Sequence, residues 1–235
     1  MFAKHRHIPR LYVQPITEKF TVSDAQSRHL VNVFRLTTGS NFIAFNPNDG
    51  EWKCEIISIT KKQVVAKRII RTRTCSYASK LYIAFGIIKP DNMRLIVEKC
   101  TELGTTEFFP LITEYTQYRN INISKFQAIA IQASEQSERI DVPVIHEPVL
   151  LPVFVEKLPP DVIWLSALER SGKAIYRHHS DNVGFIIGSE GGFSDAERLL
   201  LAKKTEPISL GNNILRTETA CIACACLATC CINTS

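Results

Sequence analysis

From Leu81 onward, apolar segments of strand length alternate with segments of helical periodicity, and this alternation constrains the fold more than any other feature. Alternating strands and helices predict an α/β domain with a parallel sheet. One helix should begin at Pro90 and end at Gly104, and another should span Ser124 to Ser137. The predicted strands are LYIAFGII, EFFPLI, DVIWLSA, NVGFIIG and EPISLG. Connection rules would make this a doubly wound sheet without a knot.

The first third of the chain instead contains short predicted strands around a single helix. The helix should span Ser23 to Arg35, and Ser23 with Gln26 forms a capping box at its start. The predicted strands are PRLYV, KFTV, NFIAF, EWKCEIISIT and QVVAKRII, with the turn signal NPNDG between the third and the fourth. Short strands with one small helix predict a compact β-barrel over residues 1–72.

Positive charge is concentrated in this predicted barrel. Residues 1–72 contain 12 lysines and arginines against 5 acidic residues, whereas residues 73–235 contain 16 against 18. A basic module joined to a near-neutral one is typical of a protein that binds a polyanion, and a solvated basic face is the equal alternative. The polar segment Arg71–Lys80 is the predicted linker to a second domain over residues 76–235.

The length of the apolar segments and the placement of the cysteines indicate the cellular compartment in which the protein works. No apolar run is long enough for a transmembrane helix, and the basic segment Met1–Arg10 lacks the hydrophobic region of a secretory signal. Five of the eight cysteines crowd the last fifteen residues, which does not suit a disulfide framework. Cys221 and Cys224 have the spacing of a zinc-ligand pair, but no opposing pair accompanies them. We therefore expect a cytoplasmic protein with reduced thiols, no metal and no membrane partner.

Three of the predicted strands end in loops rich in small or polar residues. The loops are LSALER (165–170), GSEGGFS (188–194) and LGNNILRTETA (210–220). Ligands of open α/β sheets bind at the carboxyl ends of the strands. We therefore expect these loops to border one binding cleft.

The second loop exposes bare backbone. Gly188, Gly191 and Gly192 have no side chain, so a ligand can lie against the peptide groups. Their spacing does not fit a dinucleotide fingerprint, no acid occurs at the next strand end, and the chain has no Gly-Lys-Ser/Thr. Because Glu190 would repel a phosphate, a ligand with a positive centre, such as a nucleoside bearing a sulfonium, fits better. A purely structural glycine turn is the alternative.

Helix starts follow both of the later loops. Ser194 and Glu197 form a capping box directly after the glycine loop. Thr217 is the predicted N-cap of the last helix, and Arg216 before it would be a fixed cation at the mouth of the cleft. A salt-bridged helix start is the alternative for Arg216.

The same stretches carry a family resemblance. IIGSEGGFSDAE and LGNNILRTETA, in this order near the C-terminus, closely resemble the RsmE family of SPOUT-class methyltransferases. KPDNMRLIVEKCTELGTTEFFPL, ASEQSERIDVP and HLVNVFRLTTGS resemble further segments of the family, so the likeness covers most of the chain. There are two departures, because Ser189 replaces the usual proline and Asn212-Asn213 replaces the usual Pro-Arg.

The resemblance implies more than the residue patterns give. It implies a trefoil-knotted SPOUT domain after a small PUA-like β-barrel, a homodimer, and S-adenosylmethionine as the cofactor for methylating N3 of a uridine in 16S ribosomal RNA of the small subunit. The departures leave a non-catalytic RNA-binding or assembly factor as the alternative, while the glycine spacing counts against a nucleotide-dependent oxidoreductase. By this resemblance, the cofactor would be bound by Leu165, Gly188, Glu190, Gly191, Gly192, Leu210, Gly211, Ile214, Leu215 and Thr217.

The implied reaction assigns roles to charged residues. Methylation of N3 requires loss of its proton, and a cation should stabilise the charge that spreads onto O2 and O4, for which Arg216 is the candidate. Glu218 or Glu190 would accept the proton or orient the ribose. Contacts with RNA phosphates have plain surface charge as their alternative. The candidates for these contacts are Arg6, Arg10, Arg28 and Arg35 and, by resemblance, Lys89, Arg94 and Arg139.

Overall fold

The structure is a computed structural model in which residues 8–60, 63–75, 79–119, 121–168, 173–174 and 182–232 are described. These residues divide into two compact units. The first holds the described part of residues 1–76 together with Ser134–Val142, and the second holds the rest. The sequence-based division into 1–72 and 76–235 did not predict that Ser134–Val142 would belong to the first unit. Arg6, the end of the LSALER loop, and the pair His178-His179, expected to be loop, lie outside the described residues.

The first unit is built on a five-stranded sheet with the order β1-β3-β4-β5-β2. Its strands are β1 (Arg10–Tyr12), β2 (Lys19–Thr21), β3 (Asn41–Asn46), β4 (Gly50–Ile59) and β5 (Val64–Arg73). All five lie where the sequence predicted strands, and Phe42, Ile56 and Ala66 are fully buried in the core between them. The predicted linker is wrong at its start, because β5 continues to Arg73 in pairing with β4.

The helix predicted between the strands of this unit is shorter than expected. Helix α1 (Asp24–Arg28) begins with the expected capping box, in which both the Ser23 and the Gln26 side chains bond to backbone. The chain then widens into a π-helical turn, His29–Val33, and Arg35 adopts a left-handed conformation with φ of 54°. Leu30 is fully buried, so this turn inserts its apolar residue into the core.

The second unit contains the predicted parallel sheet. Its strand order is β11-β13-β10-β12-β6-β7-β8, and every recorded pairing within it is parallel. Strand β9 (Val149–Leu150) also pairs with β7. The strands are β6 (Lys80–Gly86), β7 (Glu107–Ile112), β8 (Val144–Ile145), β10 (Ile163–Ala167), β11 (Lys173–Ala174), β12 (Asn182–Ile187) and β13 (Glu206–Ser209).

Helices cover both faces of this sheet. Alternate residues of β6 are buried on opposite faces, as a strand between two helical layers requires. One core cluster joins Tyr82 and Trp164 of the sheet to Phe154 and Leu201 of the helices α4 and α5. On the other side, α2 and α6 pack against each other, and α6 also contacts β6 and β12. The helices are α2 (Pro90–Glu102), α3 (Ile123–Gln136), α4 (Leu151–Glu156), α5 (Asp195–Lys204) and α6 (Thr217–Ile232).

The strand order determines where a ligand can bind. The chain passes from β12 over β10 to β13 and then returns to α6, which lies against β6 and β12. Because β12, β10 and β13 are neighbours and parallel, their carboxyl ends lie side by side at one edge.

Candidate functional site

The loops that follow β10, β12 and β13 border one open cleft, as the sequence predicted. The cleft holds about 700 Å³ of empty space, part of which is open to solvent. Its walls are formed by Ala167, Leu168, Ile187, Gly188, Ser189, Gly192, Phe193, Arg198, Ile208, Ser209, Leu210, Gly211, Asn212, Asn213, Ile214, Leu215, Thr217 and Ala220.

The glycine loop after β12 closes on itself as a tight turn. Ser189 and Gly192 form an antiparallel bridge, and the Gly192 amide donates to the Ser189 carbonyl at 2.8 Å. Gly192 has φ of 69°, and a Cβ on Gly188 would lie 3.1 Å from the Gly192 Cα. Glycine is required at 192 by its positive φ, and a side chain at 188 would require the turn to shift. The wall that the two residues present to the cleft is peptide backbone.

Gly191 is a glycine for a different reason. A Cβ at this position would lie 2.7 Å from the Tyr115 Cβ, so a side chain would collide with the loop after β7. Gly191 does not line the cleft.

Thr217 joins the glycine loop to the last helix. Its hydroxyl is buried and donates to the Gly188 carbonyl at 3.0 Å. The Ala220 amide bonds to the Arg216 carbonyl, so Arg216 is in the N-cap position and Thr217 is the first residue of α6. The prediction of Thr217 as the N-cap was wrong by one residue, and its side chain is used for the link to the neighbouring loop.

The start of α5 is fixed as predicted. The Ser194 and Glu197 side chains form a complete capping box, and Glu197 also accepts a hydrogen bond from the Glu114 amide at 2.9 Å. The next residue, Arg198, donates from Nε to the Phe193 carbonyl at 3.1 Å. Among the described residues that line the cleft, Arg198 is the only one with an ionisable side chain.

Sequence reasoning missed Arg198, although a signal for it existed. It lies four residues after the capping serine, and helical side chains point back toward the helix N-terminus, here toward the glycine loop. The apolar lining from Ile187 and Ile208 was also missed, whereas Ala167, Leu168 and Phe193 belong to loops that were expected to border the cleft.

The structure brings most of the predicted cofactor residues to the cleft. Leu165, Glu190 and Gly191 are the exceptions: Leu165 is buried within β10, and Glu190 is exposed at the turn of the glycine loop. The predicted residues that line the cleft are Gly188, Gly192, Leu210, Gly211, Ile214, Leu215 and Thr217.

The two predicted catalytic residues lie at the start of α6 and differ in environment. Arg216 is exposed, whereas Glu218 is 7% exposed, and neither is part of the cleft wall. The Oε2 atom of Glu218 has no hydrogen-bond partner among the described residues. Burial raises the pKa of the neighbouring Cys221 thiol, and negative charge on nearby groups, including Glu218, raises it further. The Glu218 carboxyl therefore lies in an apolar setting with an unused acceptor.

Arg10 has a structural role instead of the predicted RNA contact. Its guanidinium forms a buried ion pair with Glu51 and donates to the Arg139 carbonyl at 2.8 Å. Although burial opposes ionisation of Glu51, hydrogen bonds from Arg73, Thr72 and Arg10 lower its pKa to about 2. A guanidinium engaged in this way has no face for a phosphate, so the prediction for Arg10 was wrong.

The other predicted RNA contacts are divided between exposed and engaged side chains. Arg139 bonds through Nε to Asp141 at 3.1 Å and is 12% exposed, which argues against its predicted role. Those that remain exposed are Arg28, Arg35, Lys89 and Arg94, of which Arg94 lies 3.8 Å from Glu98.

Neither a membrane-spanning helix nor a cluster of metal ligands is found among the described residues. No helix within the described ranges has the length and apolar character that a membrane crossing requires. In the same ranges, no three His, Cys, Asp or Glu residues are grouped as metal ligands. Among the described cysteines, Cys221 and Cys224 are buried, and Cys226 and Cys230 are exposed.

Comparisons with known proteins give a consistent result. Residues 75–229 match the model of the RNA methyltransferase domain, and residues 22–67 match that of the RNA methyltransferase PUA domain. The ribosomal RNA small subunit methyltransferase E of Rickettsia conorii is 34% identical over 85% of this chain and 84% of its own length. The protein of the same name from Synechocystis is 31% identical over 90% of this chain and 74% of its own.

Solved structures agree with the sequence matches. The crystal structure of a ribosomal RNA small subunit methyltransferase E from Neisseria gonorrhoeae bound to S-adenosyl methionine has a TM-score of 0.86 and 26% identity, and covers 97% of this chain and 100% of that one. A putative methyltransferase from Legionella pneumophila, in complex with the cofactor SAM, has a TM-score of 0.84 and 29% identity, and covers 95% and 97%. The predicted fold class, a SPOUT-type α/β domain after a PUA-like domain, is confirmed.

Proposed function

Because the chain belongs to the RsmE family of ribosomal RNA small subunit methyltransferases, we propose that it transfers a methyl group from S-adenosylmethionine to N3 of a uridine in 16S ribosomal RNA. The observation that carries the proposal is the cleft where the loops after β10, β12 and β13 meet. Two of the family's most specific segments form its walls.

The residues of the cleft fit an adenosyl cofactor. Gly188, Gly192 and Gly211 present bare peptide groups to the cleft. A Cβ on Gly188 would lie against the backbone of Gly192. Ile214 and Leu215 add apolar surface against which a purine can pack. When bound, the cofactor supplies an electrophilic methyl group on a sulfonium.

Arg198 would orient the amino-acid part of this cofactor. S-adenosylmethionine carries a single carboxylate, and Arg198 is the single ionisable side chain among the described lining residues. Only its Nε has a hydrogen-bond acceptor among the described residues, so its terminal nitrogens remain available. A charge-assisted hydrogen bond to the carboxylate would satisfy them.

The chain's own groups would then manage charge and proton on the base. N3 lies on the pairing edge of uridine, so the target must be unpaired or turned out of a helix. Arg216, exposed at the start of α6, would stabilise the negative charge that spreads onto O2 and O4 as the proton leaves. Glu218 is our candidate for the proton acceptor, because its Oε2 is buried and has no hydrogen-bond partner among the described residues. A buried unsatisfied group needs an explanation, and a catalytic role is one. Glu190 is the alternative.

The assembly and the substrate grip are part of the proposal. Exposed Arg28, Arg35, Lys89 and Arg94 would contact RNA phosphates, which position the substrate without reading its sequence. A homodimer is the assembly that the family resemblance implies, and we include it in the proposal. We propose that the dimer acts in the cytoplasm, where small ribosomal subunits are available.

The test combines labelled cofactor with small ribosomal subunits that lack the modification, followed by mass spectrometry of the RNA. We expect one methyl group per subunit, located on N3 of a single uridine. Absence of incorporation together with retained binding to subunits would contradict the proposal and favour a non-catalytic assembly factor. A methyl group on another atom or on a protein would overturn the assigned substrate.

A further inference from the structure

A bulge in the sheet of the first unit changes the direction of two arginine side chains. In the pairing of β4 with β5, Lys53 lies opposite Ile70 and Cys54 lies opposite Arg68, so Ile69 is an extra residue. Residues three apart on a regular strand point to opposite faces. The extra residue offsets this alternation, and Arg68 and Arg71 reach the same side.

Both arginines lie over one tryptophan. The guanidinium carbons of Arg68 and Arg71 are 4.7 Å and 5.1 Å from the centroid of the Trp52 ring. Trp52 is itself held in place, because it packs against the core cluster and its Nε1 donates to the Asp49 carbonyl at 2.8 Å. The ring is thus a fixed platform that positions two planar cations.

These two charges differ from the other basic residues of the strand. Lys67 lies 3.1 Å from a carboxylate oxygen of Glu55, and Arg73 forms an ion pair with Glu51. Arg68 and Arg71 are exposed and form no ion pair with any described residue.

The carboxylate of Asp49 interacts electrostatically with Arg68 and Arg71, but its hydrogen bonds come from other groups. It accepts hydrogen bonds from the Ile16 amide at 2.9 Å and from the Asn46 side chain at 2.7 Å. Both arginines help to lower the pKa of Asp49, but neither forms an ion pair with it or with any other described carboxylate. Because two like charges beside each other repel, this arrangement is suited to an anion from outside the chain.

We propose that Trp52, Arg68 and Arg71 form a phosphate clamp for RNA. The guanidinium groups stack on the ring by one face and keep their N–H groups directed outward, where they can bond to adjacent phosphates. The ligand class follows from the proposed function, on which this inference rests, because an enzyme acting on ribosomal RNA must hold a polyanion. None of the three residues was among the candidates that the sequence suggested.

The test compares two charge-matched double variants of the full chain. Arg68→Gln with Arg71→Gln removes the clamp, whereas Lys19→Gln with Lys67→Gln removes two charges from a cross-strand pair on the same sheet. The probe is an in vitro transcript of the small-subunit ribosomal RNA, and its affinity is measured over a series of salt concentrations. Binding of S-adenosylmethionine and the melting temperature of each variant serve as controls for folding.

We expect the clamp variant to bind the transcript about tenfold more weakly and to lose about 1.4 from the slope of log affinity against log salt, the value for two single-strand phosphate contacts. The lysine variant should change much less, and cofactor binding should remain as in the wild type. Equal losses in the two variants would overturn the clamp. Affinity for assembled small subunits is measured in parallel. A loss of affinity for subunits with unchanged affinity for the transcript would also overturn the clamp, since it would indicate an acidic protein partner. Failure of the wild type to methylate RNA is a separate result that concerns the proposed function alone.

Discussion

At the scale of single residues, charge divides the candidate site into two regions. Arg198 is the charged side chain inside the cleft, while Arg216 lies just outside it, one residue before the helix whose first side chain bonds to Gly188. In the proposed function, the first acts on the cofactor and the second on the base that receives the methyl group. The roles can be separated, because one should affect binding and the other turnover.

Replacing Arg216 with alanine should lower methyl transfer about 100-fold or more, since a cation that stabilises developing charge would be lost. The dissociation constant for S-adenosylmethionine, measured by calorimetry, should stay close to that of the wild type. Arg216→Lys keeps the charge and should recover part of the rate. Near wild-type turnover in the alanine variant would remove Arg216 from the mechanism.

Replacing Arg198 with alanine should weaken S-adenosylmethionine binding by about tenfold or more, as loss of a charge-assisted hydrogen bond predicts. Binding of decarboxylated S-adenosylmethionine, which lacks the carboxylate, should be the same in the variant and the wild type. Calorimetry with both ligands gives the comparison. If the variant loses affinity equally for both, Arg198 does not bind the carboxylate.

At the scale of elements, the sequence predicted which strands end in the site, because their apolar cores and polar loop ends are local features. It did not predict how α6 is attached, because the bond from Thr217 to Gly188 joins residues 29 apart. The sequence also did not predict the bulge at Ile69 or the buried ion pair of Arg10 with Glu51, since both depend on the register of the strands. The SPOUT fold class came from family resemblance, because the residue patterns and connection rules predict only a doubly wound sheet.

The bond between the glycine loop and α6 can be tested with Thr217→Val. This change keeps the side-chain shape but leaves the buried Gly188 carbonyl without its donor, at a cost of about 1–3 kcal/mol in the free energy of unfolding. The free energy of unfolding, measured in denaturant, should fall, and the affinity for S-adenosylmethionine should also fall. Thr219→Val, at an exposed position of the same helix, is the control and should change neither. Equal behaviour of the two variants would show that the bond is unimportant.

At the scale of the whole molecule, the chain leaves the second unit at the end of α3 and contributes Ser134–Val142 to the first. There the carbonyls of Arg139 and Glu138 accept hydrogen bonds from Arg10 and Arg73, the two arginines that pair with Glu51. The Tyr12 amide donates to Glu135 in the same segment. The first unit therefore depends on residues that a division at residue 72 would remove.

This ion-pair network predicts a pH dependence of stability. In the folded chain the pKa of Glu51 is lowered from an ordinary value of 4.5 to about 2. A carboxylate of this kind contributes stability above its unfolded pKa and loses it as pH falls toward the folded value. The free energy of unfolding should therefore fall between about pH 5 and pH 2 by about 3 kcal/mol from this group.

Glu51→Gln gives the corresponding comparison, with unfolding measured in denaturant from neutral to acidic pH. The variant should be less stable than the wild type at neutral pH, since Arg10 would be left buried without its counter-ion. The difference between the two proteins should shrink as the pH falls. A constant difference across this range would contradict the assigned role of Glu51.

The account as a whole depends on the cofactor lying where the loops after β10, β12 and β13 meet. The most direct measurement is a crystal structure of the protein with S-adenosylhomocysteine, the product form of the cofactor. We predict its adenosyl group against the backbone of Gly188, Gly192 and Gly211, and its carboxylate within hydrogen-bond distance of Arg198. Density for the ligand elsewhere in the protein, with this cleft filled by the protein's own side chains, would contradict the account.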